Sequence, residues 1–136
     1  MTDTSIDIDW EVLNQILEMD DDPKEREFSK GLVSQFFDQA DTILSDIFRH
    51  LESQGDLNHL SSQGHFLKGS SAALGLTRMR IGCEKIQHLG NYKDETGTSS
   101  IDDETFLRDS IKQQAELVRK AYKEYYAYLH DYFGSF

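Results

Sequence analysis

One histidine in this chain has neighbours that would make its ring an acceptor for an anionic group. In the stretch HFLKGSSAALG, residues 65–75, Lys68 follows His65 by three positions, Gly69 by four and Ala72 by seven. On a helix, residues three and four apart are surface neighbours. Lys68 then places an ammonium one turn from the imidazole, while Gly69 and Ala72 keep the adjoining surface low. An imidazole nitrogen is a competent nucleophile, and a nearby cation stabilises a phosphoryl group arriving on it. Gly69 is informative because glycine inside a helix costs about 1 kcal/mol relative to alanine. An exposed histidine alone is an ordinary surface residue; Lys68, Gly69 and Ala72 set this one apart.

The elements that position His65 follow from hydrophobic spacing. At about 100° per residue, Phe66, Leu67, Ser70, Ala73 and Leu74 gather on a face roughly 140° from His65, which is the expected core face. His65, Lys68, Gly69 and Ala72 lie across from it. Apolar spacing of three and four recurs along most of the chain, strand alternation is absent, and Pro23 is the one proline. Helices are expected over about 9–19, 28–51, 57–76, 78–90 and 103–133, with Asp7 or Asp9 capping the first and Asp56 the third. Gly75 reads as a helix-end glycine, residues 91–102 as a polar loop, and the tyrosine-rich end, YKEYYAYLHDYF, as packing with wet hydroxyls. The expected fold is all-α: an antiparallel up-down four-helix bundle with an additional short N-terminal helix, forming one domain over residues 1–136.

Charge and composition narrow the function classes. The net charge is −11, which argues against nucleic acid, because phosphate backbones need clustered Lys and Arg. Residues 57–93 are the exception, with five basic side chains (Lys68, Arg78, Arg80, Lys85, Lys93) and one acidic, Glu84. Such an island suits one phosphoryl group or an acidic partner. The single cysteine, Cys83, precludes an internal disulfide and suits a reducing compartment. No apolar run approaches the roughly 20 residues of a membrane span, and MTDTSIDIDWEV lacks a signal-peptide pattern. A soluble, intracellular protein is expected. There is no P-loop, Gly-rich nucleotide loop or kinase signature. A di-iron carboxylate bundle would need Glu-x-x-His pairs; none occurs, and the five histidines (His50, His59, His65, His88, His130) are scattered. No metal site and no cofactor are expected.

The first helix carries a second signal. Trp10, Leu13 and Leu17 share one face, while Val12, Ile16 and Met19 fall on another. A short surface helix needs one apolar face, so the second is a candidate docking patch, unless the N-terminal tail covers it.

The segment His65-Phe66-Leu67-Lys68-Gly69-Ser70-Ser71 resembles the H-x-x-K-G-x-S signature of histidine-containing phosphotransfer domains, and the surrounding chain is similar to their fungal single-domain members. The stretches DWEVLNQILEMDDD, FSKGLVSQFFDQA, GHFLKGSSAALGL and CEKIQHLG carry the likeness across most of residues 9–90. The resemblance implies a bundle whose exposed histidine takes a phosphoryl group from an aspartate on the receiver domain of a hybrid histidine kinase and passes it to downstream response regulators. It implies no bound nucleotide, with Mg²⁺ supplied by the receiver. By the same resemblance His65 is the phospho-acceptor, Lys68 neutralises phosphate charge and Gly69 gives the receiver access. Gln87 matches a position that contacts the histidine or the receiver. Ser70 belongs to the signature, but the projection turns it inward as a hydroxyl back-bonded within the helix. Receivers of this family dock on an apolar patch, here Val12, Ile16 and Met19 extended by Phe28 and Leu32, with Asp20 and Asp22 as its polar rim. Asn91 stands where fungal relatives often carry an arginine, which leaves phosphate to Lys68 alone or with Lys85 or Lys93. A monomer in cytoplasm and nucleus, serving stress signalling and binding neither nucleic acid nor membrane, completes the expectation. A non-catalytic helical adaptor would explain the first helix but not Gly69 beside His65 and Lys68.

Overall fold

The computed structural model describes residues 6–134, which form five helices: α1 (Trp10–Leu17), α2 (Glu27–Glu52), α3 (Leu57–Ala73), α4 (Thr77–Gly90) and α5 (Glu104–Phe133). Each of α2 to α5 packs against its neighbour in sequence, and α5 returns against α2, which closes an up-down four-helix ring. Val33, Phe37, Ile47, Leu60, Leu67, Met79, Ile86, Leu107, Ile111 and Val118 fill the centre. At 1.5 Å per residue, α2 and α5 run about 39 and 45 Å, and α3 and α4 only about 26 and 21 Å. The long pair therefore overhangs the short pair. The N-terminal helix packs on that overhang, with Trp10 against Tyr128 and Tyr132 at ring-centroid distances of 6.3 and 5.6 Å.

Local chemistry sets the helix ends. Asp9 caps α1 through Glu11 N and Val12 N, and Asp56 caps α3 through Asn58 N. Helix α3 stops at Ala73, three residues short of the expected end, because Gly75 turns the chain with a φ of +75°. Its missing side chain has a second use. A Cβ on Gly75 would lie 2.5 Å from the Asp9 carbonyl oxygen, and Asp9 N donates to Gly75 O at 2.8 Å. The segment leading into α1 is thereby fastened to the α3–α4 turn, next to an isolated antiparallel bridge between Ile8 and Leu76.

The tyrosine-rich end departs from the expectation at one residue. Tyr125 is fully buried, and its hydroxyl accepts from Arg78 N at 3.0 Å and donates to Asp7 O at 2.9 Å. It joins α5 to the start of α4 and to the N-terminal segment, so this hydroxyl is not wet.

Candidate functional site

His65 is the ninth of the seventeen residues of α3, as far from either frayed end as that helix allows. Its side chain is exposed. The helix buries Leu57, Leu60, Gly64, Leu67 and Ser71, with Leu74 following. On the 100° projection these centre about 230° from His65, roughly a quarter-turn from the expected face. Phe66 and Ala73, expected inside, are exposed; Gly64 and Ser71 lie inside instead. Hydrophobic spacing misplaced the stripe because two of its positions carry no apolar side chain. His65 points away from the core on either projection.

The rotation gives α3 two distinct flanks. Gly64 and Ser61 face α4: a Cβ on Gly64 would lie 2.8 Å from Cys83 O and 2.9 Å from Gln87 N, and Ser61 Oγ donates to Gln87 O at 2.7 Å. The backbone of Gln87 is thus held against α3 beside the histidine, and its Oε1 is buried with no hydrogen-bond partner among the described residues. Burial pushes the Cys83 thiol up to about 12, so it stays protonated inside this seam. The other flank, with Phe66, Ser70 and Ala73, borders grooves shared with α2. One groove is lined by Leu32, Gln35, Phe36 and Gln39 together with Ser70 and Ala73, and another by Asp38, Thr42 and Ile43 with Phe66.

Between the flanks lie His65, Gly69 and Ala72, all exposed. A Cβ built on Gly69 meets nothing within 4 Å, so the space over it is open. Lys68 is half-buried at the α4 edge, and no carboxylate within ion-pair distance of it occurs among the described residues. The rest of the basic island is engaged: Arg78 with Glu124, Arg80 with Glu84 at 3.6 Å, Lys85 with Glu95 at 3.6 Å, and Lys93 Nζ with Ser100 Oγ at 3.2 Å. Asn91, exposed, ends α4 as its C-cap. Ser70 Oγ donates to Phe66 O at 3.2 Å, the back-bond expected of it, but Ser70 is half-buried on the α2 side; the buried hydroxyl is that of Ser71, on Leu67 O at 2.7 Å.

The docking residues divide. Met19, Phe28 and Leu32 are 61, 49 and 36% exposed, and acidic Asp21, Asp22, Glu25 and Glu27 surround Met19 and Phe28. Val12 is half-buried, and Asp22 is exposed, accepting from Lys24 N at 2.9 Å. Two residues are corrected. Ile16 belongs to the core with Leu13 and Leu17, because a three-residue set at i, i+3 and i+4 buries better than the two faces read from sequence. Asp20 is no rim: its carboxylate is buried and accepts from Ser29 N at 2.9 Å, Ser29 Oγ at 2.6 Å and Arg26 Nη1 at 3.5 Å. Burial raises its pKa, but these bonds outweigh burial and hold it below the ordinary carboxylate value. Asp20 satisfies the first turn of α2, whose N-cap, Arg26, makes no side-chain cap. Phe66, 52% exposed and next to His65, is the apolar surface residue that the sequence reading missed, since its spacing fits a core position.

A family model described as the Hpt domain matches residues 31–121, which contain His65, Lys68, Gly69 and Gln87 but not the docking residues that precede Leu32. The chain belongs to the Hpt domain family. It is 47% identical over 93% of its length to the multistep phosphorelay regulator 1 of Schizosaccharomyces pombe, and 53% identical over 61% of its length to the phosphorelay intermediate protein YPD1 of Saccharomyces cerevisiae. The matched regions span 42 and 48% of those relatives, so the chain spans less than half of their length. A crystal structure of yeast Ypd1p superposes with a TM-score of 0.81 at 32% identity, covering 95% of both chains. The Saccharomyces cerevisiae Ypd1 crystallised with the receiver domain of its downstream response regulator Ssk1 superposes with a TM-score of 0.82 at 35% identity, again over 95% of both. The Hpt assignment accounts for the bundle, since these neighbours share its helical architecture.

Proposed function

We propose that this Hpt domain is a phosphorelay intermediate in which His65 carries the phosphoryl group. A ring nitrogen of His65 attacks the phosphorus of a receiver's aspartyl phosphate. The P–N bond forms as the P–O bond to the aspartate breaks, and the electron pair leaves with the carboxylate. The reverse sequence at a second receiver delivers the group onward. The observation that carries this reading is the placement of an exposed imidazole at the midpoint of α3 beside the open space over Gly69.

Position supports the remaining roles. Lys68, with no carboxylate competing for it among the described residues, neutralises the arriving phosphoryl oxygens. Gly69 leaves room for the receiver's reactive loop to approach the ring. Gln87, with its buried and unpartnered Oε1 across the seam, contacts the histidine or the docked receiver. Met19, Phe28 and Leu32, joined by Phe66 on α3, form the apolar surface on which the receiver sits, with Val12 at its margin and Asp22 in its acidic rim. The partners are the receiver of a hybrid histidine kinase upstream and response regulators downstream. Mg²⁺ belongs to the receiver, and the chain is a carrier with no kinase activity of its own, acting as a monomer in cytoplasm and nucleus. No helix among the described residues is long and apolar enough to cross a membrane.

Incubation with a phosphorylated receiver tests the site. The wild type is expected to acquire acid-labile, alkali-stable phosphate on His65. His65→Gln is expected to keep its far-ultraviolet circular dichroism and lose the label. Labelling that survives in His65→Gln overturns the assignment.

A further inference from the structure

The α2–α3 seam holds a second cluster of chemically capable side chains that the relay does not use. Asp46 and His50 lie one turn apart on α2, and His59 is the third residue of α3. One ligand atom from each lies within 4.8 Å of the other two. His59 Nε2 is 2.6 Å from Asp46 Oδ2, and His50 Nδ1 is 3.3 Å from Asp46 Oδ1. The two imidazoles stack with ring centroids 4.1 Å apart and planes inclined by 27°. We propose that Asp46, His50 and His59 form a binding site for a divalent transition-metal ion of the zinc class, which clamps α2 to α3.

The spacing suits such an ion. Zinc lies about 2.0–2.2 Å from nitrogen and carboxylate-oxygen ligands, so ligand atoms around a tetrahedral ion stand about 3.3 Å apart. The His50–Asp46 pair already has that separation, the His59–Asp46 pair needs to widen by less than about 1 Å, and the stacked imidazoles must turn so that both in-plane nitrogen lone pairs converge on the ion. Two imidazoles and one carboxylate select zinc, copper, nickel or cobalt; magnesium and calcium prefer oxygen alone. Three protein ligands leave a fourth position for water. Ligation through His50 Nδ1 moves that ring's proton to Nε2 and releases the contact Nδ1 makes with Asp46 O at 2.9 Å.

The surroundings hold the Asp46 carboxylate and the turn beside His50. Gln63 Nε2 donates to Asp46 Oδ2 at 2.7 Å and Arg49 Nη2 to Asp46 Oδ1 at 2.9 Å, the outer hydrogen bonds that aim a ligating carboxylate. The α2–α3 turn closes directly on His50. Gly55 N donates to His50 O at 2.7 Å, Arg108 Nη1 holds Gly55 O at 2.7 Å, and any Cβ at Gly55 would meet His50 Cδ2 at 2.6 Å. The ring is thus confined between a glycine and a second imidazole, with a carboxylate at its edge. His59 precedes His65 by six residues, about 9 Å along α3. An ion here braces the helix that presents the phosphorelay histidine without sharing its ligands.

Calorimetric titration of the metal-free chain with ZnCl₂, with CoCl₂ as a spectroscopic probe, tests the site. The wild type is expected to bind one Zn²⁺, to show visible Co²⁺ bands of low-coordinate geometry, and to gain thermal stability with Zn²⁺. His50→Gln and His59→Ala, each checked for native helicity, are expected to lose more than about tenfold in affinity, the least expected when even an outer partner of a metal site is removed. His88→Ala is expected to bind as the wild type does. Absence of saturable Zn²⁺ and Co²⁺ binding by the wild type overturns the proposal, as does unchanged affinity in folded His59→Ala.

Discussion

Gly64 and Gln87 meet where α3 crosses α4: a Cβ on Gly64 would come within 2.9 Å of the Gln87 backbone nitrogen and within 2.8 Å of Cys83 O. Both obstacles are backbone, so relief requires the helices to part. Helix propensity alone would make Gly64→Ala stabilising by about 1 kcal/mol. The overlap is expected to reverse the sign and leave a net loss of about 1–3 kcal/mol. Urea unfolding followed by circular dichroism measures it, and a gain in stability would contradict the close crossing.

Gly69 predicts the opposite sign. Its Cβ position is open, so Gly69→Gln is expected to stabilise the fold by about 0.5–1 kcal/mol through helix propensity. The same side chain stands in the approach to His65, and transfer from a phosphorylated receiver is expected to slow by at least about tenfold, or roughly 1.4 kcal/mol of barrier. Rapid-quench labelling reads the rate. Undiminished transfer would remove the access role from Gly69.

Exposure separates docking from packing on the α1–α2 side. Phe28→Ala and Leu32→Ala, as anchors of the docking surface, are expected to weaken receiver binding by about tenfold or more, with stability changed by no more than about 0.5 kcal/mol. Ile16→Ala empties a core position and is expected to cost about 2–5 kcal/mol of stability. Surface binding assays and thermal unfolding on the same three variants give the two readouts. Unchanged receiver affinity in folded Phe28→Ala, or a loss of stability there as large as that of Ile16→Ala, would refute this division.

Asp20 makes stability depend on acid. Its folded pKa lies below the ordinary value of 3.8, because the Ser29 and Arg26 bonds to the charged carboxylate outweigh its burial. Its stabilising contribution is therefore complete above that ordinary value and is lost as pH falls through the lower folded pKa. Asp20→Ala is expected to cost about 1–3 kcal/mol at neutral pH by orphaning Ser29 N and Oγ, and the difference from wild type is expected to shrink below about pH 4. Unfolding free energies measured from pH 7 down to pH 2 check this. A difference that grows toward acid would have the wrong sign.

By itself the sequence determined what depends on local spacing. Five helices, their approximate limits, Asp7 or Asp9 and Asp56 as caps, and His65 with Gly69 on an outward face are all legible as periodicity and cap chemistry, which involve neighbours within a turn or two. Tertiary structure decided whatever depends on which backbone lies opposite. The buried stripe of α3 runs through Gly64 and Ser71 because α4 comes so close that a side chain at residue 64 has no room, a condition no hydropathy pattern records. Asp20 reads as a surface acid until the start of α2 folds back to surround it with Ser29 and Arg26. His50 and His59 look scattered because nine positions and a turn separate them, yet the antiparallel α2–α3 pairing stacks their rings on one another beside Asp46. Periodicity assigns each helix an inside and an outside, but only packing sets the rotation of one helix against the next, and that rotation decides which polar side chains meet.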